Sequence, residues 1–169
     1  MRLMLTLDFP PEKGGIQQYL YGIVKHTYSV NDMVIALRQH NECDGSKPVA
    51  ARNISVRYPP VNKKAALPLL LVMVFLLQLK HRFEMIDCGN VYAAIVPWVL
   101  KKVFALRYRV FTYGTEVLRA SRSDLWGRLL CRVIKGADQR VALGPYTVSL
   151  LEKAGAALDP LEIISPKIE

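Results

Sequence analysis

Short apolar runs alternate with helical patterns along the whole chain, and this alternation is the strongest constraint on its fold. Strands are predicted over residues 3–7, 32–37, 54–58, 83–88, 108–113, 137–143 and 161–164. Helices are predicted over residues 16–27, 64–81, 91–104, 123–135 and 144–154. In the fourth of these, Ser123 is the expected N-cap and Leu125, Leu129 and Val133 form the expected core stripe. Strands that alternate with helices pair in a mostly parallel sheet, so the sequence predicts a three-layer α/β domain with helices on both faces.

The composition limits the kinds of molecule that this chain is expected to bind. The 169 residues have the size of one domain. The net charge of +9, from 23 Lys and Arg against 14 Asp and Glu, indicates nucleic acid, acidic lipid or a phosphorylated substrate. The basic residues are scattered and no zinc-finger, RNP or basic-zipper motif is present, so we expect no nucleic acid. Three cysteines without paired spacing favour the reducing cytoplasm over a disulfide framework.

The longest uncharged stretch covers residues 65–79 and contains L-P-L-L-L-V-M-V-F-L-L-Q-L. As a helix it is about 22 Å long, short of the roughly 30 Å hydrocarbon core of a bilayer, and Pro68 and Gln78 interrupt it. We therefore predict a nearly all-round apolar helix that packs on the sheet. The alternative is that one side of this helix contacts a membrane or a partner domain.

Glycines and polar side chains follow four of the predicted strands, where the next helix begins. The carboxyl ends of parallel strands lie at one edge of a sheet, so we expect residues 8–15, 88–92, 113–117 and 143–146 to gather there. In the first loop, D-F-P-P-E-K-G-G, the glycines let a ligand approach the backbone, and free N–H groups at the helix start favour a phosphate. An ordinary strand-to-helix turn explains the same residues.

These loops carry groups that suit a polyhydroxylated or phosphorylated ligand. The candidate contacts are Lys13, Gly14, Gly15 and Gln18 in the first loop, Asn90 and Tyr92 in the second, and Tyr113, Gly114, Thr115 and Glu116 in the third. A tyrosine at a strand end is also common in the core or at its rim. Packing explains the carboxylate of Glu116 poorly, so Glu116 is the stronger candidate in its loop.

Several common chemistries lack their motifs in this sequence. G-x-G-x-x-G and the Walker G-K-[ST] are both absent, which argues against a nicotinamide enzyme or an ATPase. No G-x-S-x-G elbow is present and Cys88 has no matching histidine, which argues against a hydrolase. His26, His40 and His81 lack the spacing of metal ligands, so no metal site is expected.

Four segments taken together resemble a known family. They read F-P-P-E-K-G-G-I-Q-Q-Y-L, M-I-D-C-G-N, F-T-Y-G-T-E-V and A-D-Q-R-V-A-L-G-P-Y-T-V-S-L-L-E-K-A-G. In this order they are similar to the amino-terminal half of retaining glycosyltransferases of the GT-B fold, in the family 4-like group of glycogen-synthase-like and mannosyltransferase-like enzymes. The resemblance covers essentially the whole chain. It implies a Rossmann-like domain, residues 1–164, that faces a second such domain across a cleft.

The resemblance implies how the two domains share the site. The amino-terminal domain holds a saccharide or lipid-linked acceptor, and its Gly14-Gly15 loop reaches the phosphate of a nucleotide-sugar donor. The loop of residues 113–116 borders the transferred sugar, and no metal or other cofactor is required. The family commonly has histidine where this chain has Tyr113, which is a larger side chain that still donates a hydrogen bond.

The resemblance also implies that part of the site lies outside this sequence. The family's donor-binding Arg/Lys pair and its acidic E-x7-E element belong to the carboxyl-terminal domain. Residues 165–169 correspond to the start of the linker that leads to it. We therefore expect a truncated domain, cytoplasmic or peripheral on the inner face of the membrane, that binds weakly and does not transfer sugar alone.

The alternative is a non-catalytic module with a Rossmann-like fold that binds a ligand or attaches to a membrane. Basic residues recur at helical spacing near a tryptophan and could contact anionic headgroups. These residues are Arg119, Arg122, Trp126, Arg128, Arg132 and Lys135. A solvated helix face explains the same spacing and is the favoured interpretation.

Overall fold

Seven strands form one sheet in the described part of the chain, and every neighbouring pair is parallel. The computed structural model describes residues 1–10, 13–37, 55–57, 66–156 and 159–164. In chain order the strands are β1 (Arg2–Thr6), β2 (Met33–Ala36), β3 (Ser55–Arg57), β4 (Met85–Cys88), β5 (Arg107–Thr112), β6 (Gln139–Ala142) and β7 (Leu161–Ile163). They lie side by side in the order β3-β2-β1-β4-β5-β6-β7.

Helices cover both faces of this sheet. They are α1 (Gly15–Thr27), α2 (Ala66–His81), α3 (Ile95–Leu100), α4 (Gly114–Ala120), α5 (Leu125–Lys135) and α6 (Pro145–Lys153). Successive strand residues point to opposite faces. Met4 and Val34 therefore pack with α1, whereas Leu3 and Ile35 belong to the larger core under α2 to α6. The predicted Rossmann-like three-layer α/β fold is confirmed.

The segments after β4 and after β5 differ from the sequence prediction. The helix predicted over residues 91–104 is α-helical only at α3, and Pro97 lies in its first turn, where backbone N–H groups have no partner within the helix. The helix α4 directly follows β5, where the sequence predicted a loop. The predicted strand 54–58 is observed as β3, and the first residues of the helix predicted over 64–81 lie outside the described residues. Residues 165–169, the predicted linker, also lie outside them.

The apolar helix α2 packs on the sheet with one of its faces. Leu70, Val74 and Leu77 are buried in the larger core. Gln78 interrupts the apolar sequence but is also buried. Its Oε1 accepts a hydrogen bond of 3.1 Å from the backbone N–H of Phe83, and its Nε2 donates one of 3.4 Å to the carbonyl of the same residue. Gln78 therefore stabilises the turn between α2 and β4.

The helix α5 begins later than predicted. Its N-cap is Asp124, whose Oδ1 accepts a hydrogen bond of 2.8 Å from the backbone N–H of Gly127, rather than the predicted Ser123. The predicted core stripe included Leu125, but this residue is 80% exposed. The buried residues of α5 are Gly127, Leu130, Val133 and Ile134. Of the predicted stripe, Val133 is buried and Leu129 packs partly buried against the core, whereas Leu125, in the first turn of the helix, lies in solvent.

A buried ion pair joins the two strands at the centre of the sheet. Asp87 on β4 is fully buried, and Arg109 lies directly beside it on β5. Arg109 Nε and Nη2 donate hydrogen bonds of 2.8 and 2.9 Å to the two carboxylate oxygens of Asp87. The hydroxyl of Tyr28, just after α1, donates to Oδ2 of the same group. Burial, followed by the charge of Asp87, raises the pKa of Tyr28 well above its ordinary value.

Removal of the cation should destabilise the fold. In the Arg109→Met variant we expect the free energy of unfolding to fall by about 3 kcal/mol, because Asp87 would keep only Tyr28 as a partner for its buried charge. The measurement is urea denaturation followed by circular dichroism. Arg107→Met, a change of the same type at an exposed position of the same strand, should alter stability by less than about 0.5 kcal/mol. Equal losses in the two variants would contradict a stabilising role for the pair.

Candidate functional site

Four loops meet at the carboxyl edge of the sheet, as the sequence predicted. They follow β1, β4, β5 and β6, which are consecutive neighbours in the sheet. The strand order also changes direction at the centre, because β2 and β3 lie on one side of β1 whereas β4 lies on the other. In open α/β sheets the crevice at such a switch point is the usual ligand site. The edge between the loops of β1 and β4 is therefore the candidate functional site.

A close backbone contact holds the first two loops together. Gly89 follows β4 directly, and its N–H donates a hydrogen bond of 2.8 Å to the carbonyl of Leu5. A Cβ atom at Gly89 would lie 2.4 Å from Oγ1 of Thr6, so only glycine fits this position without a shift of β1. The same Thr6 hydroxyl donates to the carbonyl of Asp8 at 3.0 Å and accepts from its N–H at 3.1 Å.

Asn90 connects these loops through its side chain. Its Nδ2 donates a hydrogen bond of 2.9 Å to Oδ2 of Asp8, and its Oδ1 accepts one of 2.8 Å from the N–H of Ala93. Asn90 is buried, so its bond with Ala93 is shielded from solvent, whereas its bond with the half-buried Asp8 is only partly shielded. Tyr92, the other candidate of this loop, is half-buried in the following turn. Asn90 therefore holds the loops after β1 and β4 in a fixed relation.

Glu116 extends this arrangement to the third loop. The residue lies in the first turn of α4 and is buried, and its Oε1 accepts a hydrogen bond of 3.2 Å from the backbone N–H of Val91. The other carboxyl oxygen, Oε2, is buried without a hydrogen-bond partner among the described residues. Burial and the nearby charge of Asp8 raise the pKa of Glu116 to about 8, although the backbone N–H groups of Val91 and Tyr113 oppose the shift.

The side chain of Tyr113 is also buried. It packs in the smaller core under α1, with Phe9 and Phe111. Its hydroxyl has no hydrogen-bond partner among the described residues. Burial, followed by the charge of Glu116, raises the pKa of Tyr113 well above its ordinary value. Within this loop Gly114 is half-buried, and Thr115 is the residue that the fold leaves exposed.

The first loop presents its candidates to solvent. Lys13, Gly14, Gly15 and Gln18 are all exposed at the start of α1. Gly14 is the N-cap residue of this helix and no side chain caps it. The N–H groups of its first turn are therefore available to an anion. A Cβ atom at Gly15 would meet no other atom within 4 Å, so the fold itself does not require glycine there.

The predicted basic face lies on α5 and in the turn before it. Arg122, Trp126, Arg128, Arg132 and Lys135 are exposed. Arg119 differs, because its guanidinium donates hydrogen bonds of 2.9 and 2.6 Å to Asp124. No helix of the described residues is long and apolar enough to cross a membrane. Among the same residues, no three His, Cys, Asp or Glu side chains lie close enough to hold a metal ion.

The structure brings Asn90 and Glu116 into one hydrogen-bonded arrangement and places Tyr113 beside it. Sequence reasoning did not single out Asp8, which takes part in the same arrangement through Asn90. A signal was available, because Asp8 is the first carboxylate after a buried strand. The exposed residues of the first loop are not joined to this arrangement by their side chains in any contact that the structure describes.

Several solved glycosyltransferase structures share the fold of this chain. Anabaena HepE, in complex with UDP and glucose, matches all of this chain over 45% of its own length, with 16% identity and a TM-score of 0.72. Sucrose-phosphate synthase from Thermosynechococcus elongatus matches 99% of this chain over 48% of its own, with 11% identity and a TM-score of 0.73. This chain has the fold of a GT-B half-domain. The lipopolysaccharide outer core galactosyltransferase WaaB is a third match, with 8% identity and a TM-score of 0.67.

The half-domain spans less than half the length of these three solved chains. This coverage is consistent with the amino-terminal half of the GT-B fold. No protein-family model matches the sequence, and no curated protein matches it significantly. The likeness is therefore one of three-dimensional structure, at a sequence identity that establishes the fold alone.

The raised pKa of Glu116 makes stability depend on pH. The unfolded carboxyl loses its proton near pH 4.5 and the folded one near pH 8. Between these values the folded state binds more protons than the unfolded state. The free energy of unfolding should therefore fall as pH rises, by at most about 1.4 kcal/mol for each pH unit. Thermal unfolding from pH 5 to pH 8 measures this fall. In Glu116→Gln, whose side chain is neutral and can still accept from Val91, the fall should be smaller.

The comparison with wild type isolates this residue from the other titrating groups. Glu152→Gln, at an exposed carboxylate of α6, should leave the pH dependence of the melting temperature unchanged. A Glu116→Gln curve parallel to that of wild type would show that Glu116 is ionised throughout this pH range.

Proposed function

We propose that this chain is the acceptor-side half of a retaining glycosyltransferase that transfers a sugar from a nucleotide sugar to a saccharide or lipid-linked acceptor. The observation that carries the proposal is the match of the whole chain to half of several glycosyltransferases, one of them in complex with UDP and glucose. The position of the polar loops at the switch point of the sheet supports it. In this fold class that edge is where ligands bind.

In the proposed reaction the acceptor oxygen bonds to the anomeric carbon of the donor sugar as the bond from that carbon to the nucleoside diphosphate breaks. The proton of the acceptor hydroxyl passes to the departing diphosphate. Negative charge then grows on the leaving phosphate. Lys13 and the open N–H groups at the start of α1 would stabilise this charge, because both are exposed at the site. No step in this assignment needs a metal ion.

The buried residues have a different role in this proposal. Asn90 and Glu116 would hold the loops after β1, β4 and β5 in position. Gln18, Tyr92 and Thr115 are accessible or partly accessible and would contact sugar hydroxyl groups. Tyr113 would support the sugar-side loop from beneath, since its ring belongs to the core.

A second domain would complete the donor site. The matched glycosyltransferases are more than twice as long as the part that this chain resembles, and the rest of their length supplies the other half of the fold. We therefore propose that the isolated chain binds a nucleotide sugar weakly and does not transfer sugar. If the chain bound a nucleotide sugar but no sugar was transferred even after a second GT-B domain was supplied, the non-catalytic binding module would be the better assignment.

Ligand-observed NMR with a panel of UDP-, GDP- and ADP-sugars tests the donor site, because this method detects binding in the millimolar range. We expect saturation transfer from the chain to at least one nucleotide sugar. Gly15→Glu should weaken it by about tenfold, since the new carboxylate would occupy the anion position and repel the phosphate.

Gly22→Glu is the matched control for this experiment. Gly22 lies in the same helix, and a Cβ atom there also meets nothing within 4 Å. The control adds the same charge about two turns further along and should leave binding within about twofold. Loss of binding in both variants, or no binding of any nucleotide sugar by wild type, would contradict the proposed site.

A further inference from the structure

The outer face of α2 is apolar and uncovered. Leu69, Val72, Leu76 and Leu79 are between 43% and 58% exposed. Their spacing of three, four and three residues places them in one line along the helix, opposite the buried face of Leu70, Val74 and Leu77. We call these four exposed residues the α2 stripe. A helix that is apolar on all sides is normally buried on all sides, so we expect another molecular surface to cover the stripe.

The surface continues beyond the helix. The turn after α3 places Val103 in solvent, with 70% of it exposed. This turn lies beside α2, because the rings of Phe75 and Phe104 pack with their centroids 5.3 Å apart. A groove of about 380 Å³ separates the end of α2 from this turn. It is lined by Gln78, Leu79, Arg82, Phe83, Phe104 and Ala105.

The charged residues along this surface are mostly cations, and the exposed Glu84, which pairs with the amino terminus of the chain, lies just beyond it. Residues 66–83 and 95–107 contain five Lys and Arg and no Asp or Glu, namely Lys80, Arg82, Lys101, Lys102 and Arg107. Lys101 is bound to Asp138 by hydrogen bonds of 2.7 and 2.8 Å. Lys80, Arg82, Lys102 and Arg107 are exposed. An apolar strip bordered by cations matches a surface with an apolar interior and anionic groups at its boundary.

We propose that the α2 stripe binds to the surface of an anionic lipid bilayer, with the helix axis parallel to the membrane plane. The stripe enters the boundary between headgroups and acyl chains, and Lys80, Arg82 and Lys102 contact the lipid phosphates. A second copy of the chain fits less well. The stripe exposes on the order of 300 Å² of apolar surface, whereas a stable interface buries about 800 Å² on each partner.

This surface differs from the basic face of α5. On α5 the exposed apolar residues, Leu125 and Trp126, lie in the first turn. The exposed residues further along the helix are Arg128, Arg132 and Lys135. Such a face can attract anionic lipid, but only its first turn has apolar side chains to insert. The α2 stripe is apolar along most of its helix. The proposal is independent of sugar transfer, so it can fail or hold whatever the outcome of the ligand experiments.

Flotation with lipid vesicles tests the proposal on the chain as it stands. Vesicles of phosphatidylcholine alone are compared with an equal mixture of phosphatidylcholine and phosphatidylglycerol. We expect the chain to float with the mixed vesicles only. The double variant Val72→Glu with Leu76→Glu should weaken this binding by about tenfold or more, because two charges would have to enter the apolar boundary.

Matched variants identify the surface. Val30→Glu with Ile163→Glu makes the same chemical change at exposed positions outside α2 and α5 and should leave binding unchanged. Lys80→Glu with Lys102→Glu should weaken binding and reduce its dependence on salt, whereas Arg128→Glu with Arg132→Glu should not. Leu76→Trp provides a second measurement, since brominated lipids should quench its added fluorescence but not that of Val30→Trp.

Three results would overturn the proposal. The first is that wild type does not bind to the mixed vesicles. The second is that the Val72→Glu/Leu76→Glu variant still binds and brominated lipids do not quench the added fluorescence of Leu76→Trp. The third is a loss confined to Arg128→Glu/Arg132→Glu, which would assign the lipid contact to α5. Light scattering could instead show a dimer in a chain that does not bind vesicles. If the Val72→Glu/Leu76→Glu change disrupted this dimer, the stripe would be a protein interface.

Discussion

The parallel pairing of all seven strands is the constraint on which the rest of the described structure depends. Parallel strands cannot be joined by tight turns, so each connection must cross a face of the sheet and return to the same end. The crossings cover both faces with helices, and every loop that follows a strand falls at the carboxyl edge. The reversal of strand order between β3 and β4 then places the switch point between β1 and β4. The location of the site thus follows from topology, before any side chain is considered.

The sequence was sufficient for this level of description because it depends on hydrophobic periodicity. The strand pattern and the gathering of the four loops were predicted correctly. The helix α4 was not, since its first residues, Gly114 and Thr115, are weak helix formers and its seven residues are too few for a clear period. The N-cap of α5 was misplaced by one residue, because Ser123 and Asp124 are both good N-caps and only the folded backbone selects between them.

The side-chain contacts of the site could not have been predicted in the same way. The sequence indicated that Asn90 and Glu116 would lie at one edge, but their partners, Asp8 and the backbone of Val91, depend on loop conformations that periodicity does not describe. The pairing of Asp87 with Arg109 likewise required the register of β4 and β5. Among the residues that the structure describes, the candidate site also contains buried polar atoms without hydrogen-bond partners and helix starts without side-chain caps. Such local departures from stability are typical of functional regions.

The ion pair between Asp87 and Arg109 has a further consequence for how the central strands align. Side chains alternate between faces, so a slip of one residue would turn Asp87 toward the larger core. Its neighbours there would be those of Ile86 and Cys88, namely Leu3 and Leu5 on β1 and Tyr108 and Val110 on β5, and none of these carries a cation. An uncompensated carboxylate in that layer is strongly unfavourable. The pair therefore acts against misaligned sheets, whatever its net contribution to the stability of the correct one.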